Sequence, residues 1–428
     1  MSSSRYQSRP KVLAVRCGKR RAALSACSST RRRRRVTDSD AANTRDGSSS
    51  WASLPEDLVD LIAWRVLAVD LRDYVRLRAV CAHWRSSTAS PRGRGIVDQR
   101  FHPRRWMMLP EGHGLYPGHD KLRGFVRFFN LSTGAFVRVH LPLFRDHCVL
   151  DSIDTAARLL NPFTGDILDF PPLETLLPYE CTLPHRSKRI YIRHVSATSM
   201  NVSADGVVSL MIFGGCGWSK IAFATSREQR WRVSSYFVDQ YCSPLSFQGK
   251  IYVLRCTDSY AKPDILEIGP PHSYYKGMEE PWMPPPRSIA KCPLPYSSDE
   301  TGTNHHYLAE CGTELMVVSM SNVYKKVLVH RVADLVLGRA VPVTRIGGNA
   351  LFIDRRKLWV GSKAFPNIVD DTTVFYNGYK RILAQYHLRS GTILPATNIP
   401  NAEDVGPSPC SIISHMYTCC YRQKWNKG

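Results

Sequence analysis

The sequence predicts a mainly β protein with a small α module near its N-terminus. Three observations carry this. Apolar residues recur at spacings of three and four between residues 51 and 90. From about residue 120 onward, short apolar runs are bounded by Gly, Pro, Asn and Asp, as strands and turns require. No uninterrupted apolar run approaches the roughly 18 residues that would suggest a membrane span.

The 428 residues carry 58 Lys plus Arg against 36 Asp plus Glu, a formal charge of +22. Residues 1–50 hold 13 basic and three acidic residues, so +10 sits in this stretch and +12 in the other 378. The stretch is rich in Ser, Arg and Ala without apolar periodicity and reads as a disordered basic tail. Within it, Arg31, Arg32, Arg33, Arg34 and Arg35 suit an import receptor or a polyphosphate surface, or form a solvated run. Nucleus or cytoplasm is the expected compartment. The absence of acids before Asp38 leaves an organellar presequence as a further option. The thirteen cysteines form no paired CxxC sets, which fits a reducing compartment better than a disulfide scaffold.

The module at 51–90 opens with Trp51-Ala-Ser-Leu-Pro-Glu-Asp-Leu. Ser53 is the expected helix cap, Pro55 suits the first turn, and Glu56 would complete a capping box. Leu54, Leu58, Leu61, Ile62 and Val66 then make one stripe; a second segment runs from Leu71 to Val80, and a third starts near His83 and Trp84. Helices this short cannot bury much on their own, so the module must lean on a neighbour or a partner.

Leu54-Pro55-Glu56-Asp57-Leu58, with Ile62 and Arg78-Ala-Val-Cys-Ala-His-Trp-Arg85, resembles an F-box of the plant type. The resemblance implies that Leu54, Pro55, Leu58, Ile62, Val80 and Trp84 dock on a Skp-type adaptor, which links to cullin and RING subunits. Read from the residues alone, the same side chains also suit a purely intramolecular helical core.

Residues 91–119 read as a linker or packing segment and residues 120–400 as one β domain, followed by a flexible tail at 401–428. Arg123 to Pro142 reads as strand, turn, strand, with Gly134 in the turn. Ala157 to Leu173 repeats the device, and both copies contain Asn-x-x-Thr-Gly. Strand-like runs follow at 207–213, 219–225, 251–255, 314–319, 326–331, 350–353, 358–360, 373–376 and 382–386. Many short strands without intervening helices exclude a doubly wound sheet. Radial repetition into a β-propeller protects most edges, while a pair of stacked sheets also accommodates the pattern.

Leu160-Asn-Pro-Phe-Thr-Gly165 with Phe170-Pro-Pro-Leu173, Gly249-Lys-Ile-Tyr-Val253, and Val369-Asp-Asp-Thr-Thr-Val-Phe375 look like the landmarks of the plant KIB-type β-propeller domain, once catalogued as domain of unknown function 295. That domain commonly follows an F-box. The combination implies a substrate-recognition subunit of a Skp-cullin-F-box ubiquitin ligase, whose propeller binds an unknown protein client. A non-ligase nuclear scaffold, or a basic nucleic-acid-associated protein, is the alternative.

No enzyme motif is present: there is no HExxH, no GxSxG and no full P-loop, so neither catalytic residues nor a cofactor or metal are expected. His305 and His306 would point to opposite faces of a strand. Cys216 with His330, and Asp370 with Asp371, are the remaining pairs that a fold could bring together. Residues 274–304 read as the main exposed excursion. Tyr274, Tyr275, Lys276, Trp282, Arg287 and Tyr296 there form the candidate client surface.

Overall fold

A computed structural model describes residues 51–109, 115, 117–145, 156–179, 195–214, 220–238, 244–255, 262–272, 282–293, 304–321, 326–353, 357–365, 367–377 and 382–396. The expected tails lie outside these residues.

Three helices come first: α1 (Glu56–Val69), α2 (Leu71–Arg78) and α3 (Ala82–Ser86). The capping box does not form. Ser53 stands in a 3-10 turn and Pro55 takes the cap position with extended ψ, its carbonyl accepting from the Leu58 and Val59 amides. The cap of α2 is Asp70, whose carboxylate accepts from the Arg72 amide at 2.7 Å. Cys81 caps α3 through its sulfur. Ala63, Leu67, Leu71, Tyr74 and Leu77 form the module's core around Phe101. Arg78 and Tyr74 fasten the following chain, donating to backbone carbonyls at Thr88 and Ala89.

The described residues of the β region form six sheets. The first joins β1 (Trp106–Leu109), β2 (Phe125–Asn130) and β3 (Phe136–His140), and the second pairs β4 (Ala156–Leu160) with β5 (Ile167–Pro172). Two four-stranded meanders follow: β6 (Val195–Val202), β7 (Val208–Gly214), β8 (Ile221–Thr225) and β9 (Arg232–Val233), then β10 (Leu245–Phe247), β11 (Lys250–Arg255), β12 (Asp264–Ile268) and β13 (Arg287–Lys291). The fifth sheet comprises β14 (Asn304–Cys311), β15 (Glu314–Ser321) and β16 (Val327–Arg331), followed by a short helix, α4 (Val332–Val336). The last contains β17 (Asn349–Ile353), β18 (Lys357–Gly361), β19 (Thr372–Asn377), β20 (Ile382–His387) and β21 (Ile393–Pro395) in the order β18-β17-β19-β20-β21.

Each sheet buries side chains against the next in chain order. The seams run through Val126 and Phe128 with Leu160, then Leu168 and Phe170 with Leu210 and Ala222. Met211 and Phe223 next meet Ile251 and Val253, Ile265 meets Leu308 and Val317, and Val318 meets Leu351 and Ile353. The circuit closes where Phe352 and Val374 of the last sheet pack on Met107, Leu109 and Phe129 of the first. Strand periodicity explains why central strands read as unbroken apolar runs: in β17, Ala350 and Phe352 fill one seam while Leu351 and Ile353 fill the other. This closed ring is a β-propeller, and stacked sheets are excluded.

Two expectations change. The β domain begins before residue 120, because β1 at 106–109 is already a strand of the first sheet. The predicted excursion at 274–304 contains β13, the outer strand of its sheet; Pro284, Pro285 and Pro286 stand just before it, where an edge strand tolerates proline.

Candidate partner-binding surfaces

Helix α1 is apolar on two faces. Val59, Ala63 and Leu67 are buried in the module core, whereas Leu58, Leu61 and Val69 are exposed by 46%, 49% and 74%. At about 100° per residue the two sets lie on separate sides of the helix. Val80, past the end of α2, is 64% exposed. Of the six residues expected at an adaptor, Pro55, Leu58 and Val80 are exposed; Leu54, Ile62 and Trp84 are half-buried, the last two against the module's own core. His83 Nε2 donates to the Leu54 carbonyl at 2.8 Å and Trp84 Nε1 to the Trp51 carbonyl at 3.1 Å, which ties the two ends of the motif together. Leu61 and Val69 extend the exposed face; their helical spacing from Leu58 is the signal that finds them.

On the propeller, Tyr274, Tyr275, Lys276 and Tyr296 fall outside the described residues, as do Arg31 to Arg35. Trp282 and Arg287 are described, the first half-buried and the second exposed, and each also bonds within the domain. Trp282 exchanges backbone hydrogen bonds with His272, their rings 5.5 Å apart. Arg287 lies 2.9 Å from Glu267, which also takes Lys250 Nζ at 3.0 Å and the Tyr252 hydroxyl at 3.0 Å. Burial works against ionisation of Glu267, but Lys250, Tyr252 and Arg287 hold its carboxyl below the usual range. This cluster braces β11, β12 and β13, so the client patch as read from sequence is in part a sheet edge.

The titratable groups that are described take part in the bonding of the fold. Asp371, in the left-handed region at φ +55°, accepts from the Ile346 and Gly348 amides at 2.7 and 3.0 Å. Asp370 accepts from Ser362. Together with Gln385, which accepts from the Val369 amide and donates to the Asn367 and Pro395 carbonyls, they brace the crossover that brings β19 parallel to β17. His306 bonds Ser319 at 2.9 Å, and burial, with a smaller push from His305, lowers its pKa to about 4. His330 is buried, with its pKa lowered by that burial, while Cys216 lies outside the described residues. Among the described residues no three His, Cys, Asp or Glu side chains are grouped to hold a metal ion, and no helix is long and apolar enough to cross a membrane.

The ring of sheets defines a β-propeller protein, a class whose inter-strand loops offer surfaces to protein partners. The sequence pattern of the KIB1-4 beta-propeller family matches residues 128–386, and the chain belongs to that family. No curated protein matches the chain.

Proposed function

We propose that this protein is a substrate-recognition subunit of a Skp-cullin-F-box ubiquitin ligase of the plant type. In this reading the 51–90 module is the F-box. Leu54, Pro55, Leu58, Ile62, Val80 and Trp84 contact the Skp-type adaptor, and the propeller binds a protein client. The chain contributes binding and orientation, and the covalent chemistry belongs to its partners. The compartment is the nucleus or cytoplasm, with Arg31 to Arg35 as the import patch.

The supporting observation is the second apolar face of α1. Leu58, Leu61 and Val69 are exposed although the helix already buries Val59, Ala63 and Leu67. An apolar face on a helix held in place by its own core is economical to dock, because apolar burial supplies affinity while little ordering is required. The test is a titration of full-length protein with a panel of Skp-type adaptors, using the double variants Leu54→Ala with Pro55→Ala and Leu58→Ala with Ile62→Ala. Loss of binding with folding intact supports the reading. Unchanged binding in both variants sinks the surface, and recovery of nucleic acid without ligase subunits from cells favours the basic nucleic-acid-associated alternative.

A further inference from the structure

We infer that the helical module is locked to the propeller at two hydrogen-bonded docks, and that Asp70 and Asn130 are positioning residues that set the orientation of the α1 apolar face. That this face binds an adaptor rests on the function proposed above; the lock, which sets where the face points and not the face itself, does not.

Both docks are made by the repeated Asn-x-x-Thr-Gly turn. In each copy one carboxamide has two tasks. Asn130 Oδ1 accepts from the Ser132 and Thr133 amides at 2.9 and 3.0 Å, and Asn161 Oδ1 accepts from the Phe163 and Thr164 amides at 3.1 and 3.2 Å. These bonds fix which way each amide group points, so each Nδ2 faces outward as a donor. Asn130 Nδ2 donates to Asp70 Oδ2 at 2.9 Å; Asn161 Nδ2 donates to the Gly95 and Phe101 carbonyls, both at 2.9 Å.

At the first dock, Asp70 is buried and joins three elements. Its carboxylate caps α2, accepts from Trp106 Nε1 of β1 at 3.2 Å, and accepts from Asn130 at the end of β2. A buried carboxylate served by these donors loses them if the module swings away, so the tie resists displacement. At the second dock, Asp166 accepts from the Gly93 and Gly95 amides at 3.0 and 2.7 Å. The chain passes so close that a Cβ on Gly95 would lie 2.2 Å from Thr164 Oγ1 and 2.6 Å from Asp166 Oδ2. Between the docks, Phe163 wedges against the module core and meets Trp106 edge-on at 5.2 Å.

The decisive experiment exploits the fixed amide direction. Spin labels are introduced at Asp57 and Arg389, both exposed, by genetically encoded residues in the full chain, and the distance distribution is measured by pulsed electron spin resonance. The wild type should give one narrow distribution. Asp70→Asn opposes two amide donors and Asn130→Asp opposes two carboxylates, so each should at least double its width. The paired exchange reverses the hydrogen bond at unchanged net charge and should restore the narrow distribution. A merely stabilising contact would lower the melting temperature of the single variants and leave the width alone. A broad wild-type distribution, narrow single variants or a double variant broader than either overturns the lock. Should a single exchange abolish helix circular dichroism, Asp166→Ala carries the same measurement at the second dock, with a doubled width expected and an unchanged one overturning it. Adaptor affinity, measured separately, should stay within twofold in all variants. A wild type that binds no adaptor defeats the ligase reading, whereas the lock stands or falls on the distance distributions alone.

Discussion

The helical module and the propeller handle apolar surface in opposite ways. In the propeller each sheet covers its neighbour, and strands such as β17 are buried on both sides. In the module one face of α1 is covered and another is left open. Apolar content therefore says little about role; what matters is whether the fold supplies a cover. Side chains in seams should govern stability, and those on the open face should govern association.

The largest effect is expected where this contrast is sharpest. Trp231 is fully buried, stacks on Phe170 and donates to the Pro171 carbonyl at 2.7 Å. Trp231→Ala should cost about 3–5 kcal/mol, measured by denaturant unfolding. Loss of less than about 1 kcal/mol would mean that this seam is not a core.

A second measurement uses pH. His306 has a folded pKa of about 4, against about 6.5 in an unfolded chain, so the unfolded state binds more protons between these values. Stability should be flat above about pH 6.5, fall by about 2 kcal/mol on going to pH 5, and lose nothing more from this group below about pH 4. His330, lowered by burial, adds in the same direction. Thermal melts across this range should lose most of this slope in His306→Gln, which keeps a partner for Ser319 but does not titrate, with His330 supplying part of what remains.

Gly95→Ala should cost about 1–3 kcal/mol, because the added carbon would displace the Thr164, Asp166 and Asn161 side-chain ends from their hydrogen bonds. Leu58→Ala and Leu61→Ala should change stability least, by about 0.5 kcal/mol or less. On the function proposed above, the same substitutions should lower adaptor affinity about tenfold, or about 1.4 kcal/mol. A destabilisation comparable to that of Trp231→Ala would erase the distinction between the two regions.

Much of this architecture is legible in the sequence. The hairpins at Gly134 and Gly165 announce themselves because a left-handed glycine follows an Asn that folds back on its own turn. Strands β7, β11, β15 and β17 are apolar enough to find. Strand β14 is harder: it opens Asn-His-His-Tyr, and its pairing with β15 is what reveals it. Strand β13 is also hard to find, because the three prolines directly before it read as a loop. Asp70 reads locally as a helix cap and nothing more. Its bonds to Trp106 and Asn130 span 36 and 60 residues, a separation that no local pattern encodes.

The seam that closes the ring joins the earliest strands to the latest. Met107, Leu109 and Phe129 are covered by residues that begin at Ala350, about 220 positions further along the chain. During ribosomal synthesis at about 5–20 residues per second, that face stays wet for on the order of 10–45 seconds after it emerges. Moreover, β19 lies beside β17 on the side away from β18, so the chain between β18 and β19 must cross to reach it. The nascent chain thus carries an open apolar surface through most of its own translation, and chaperone supply in the producing cell should set the yield of this protein more strongly than the stability of the finished ring.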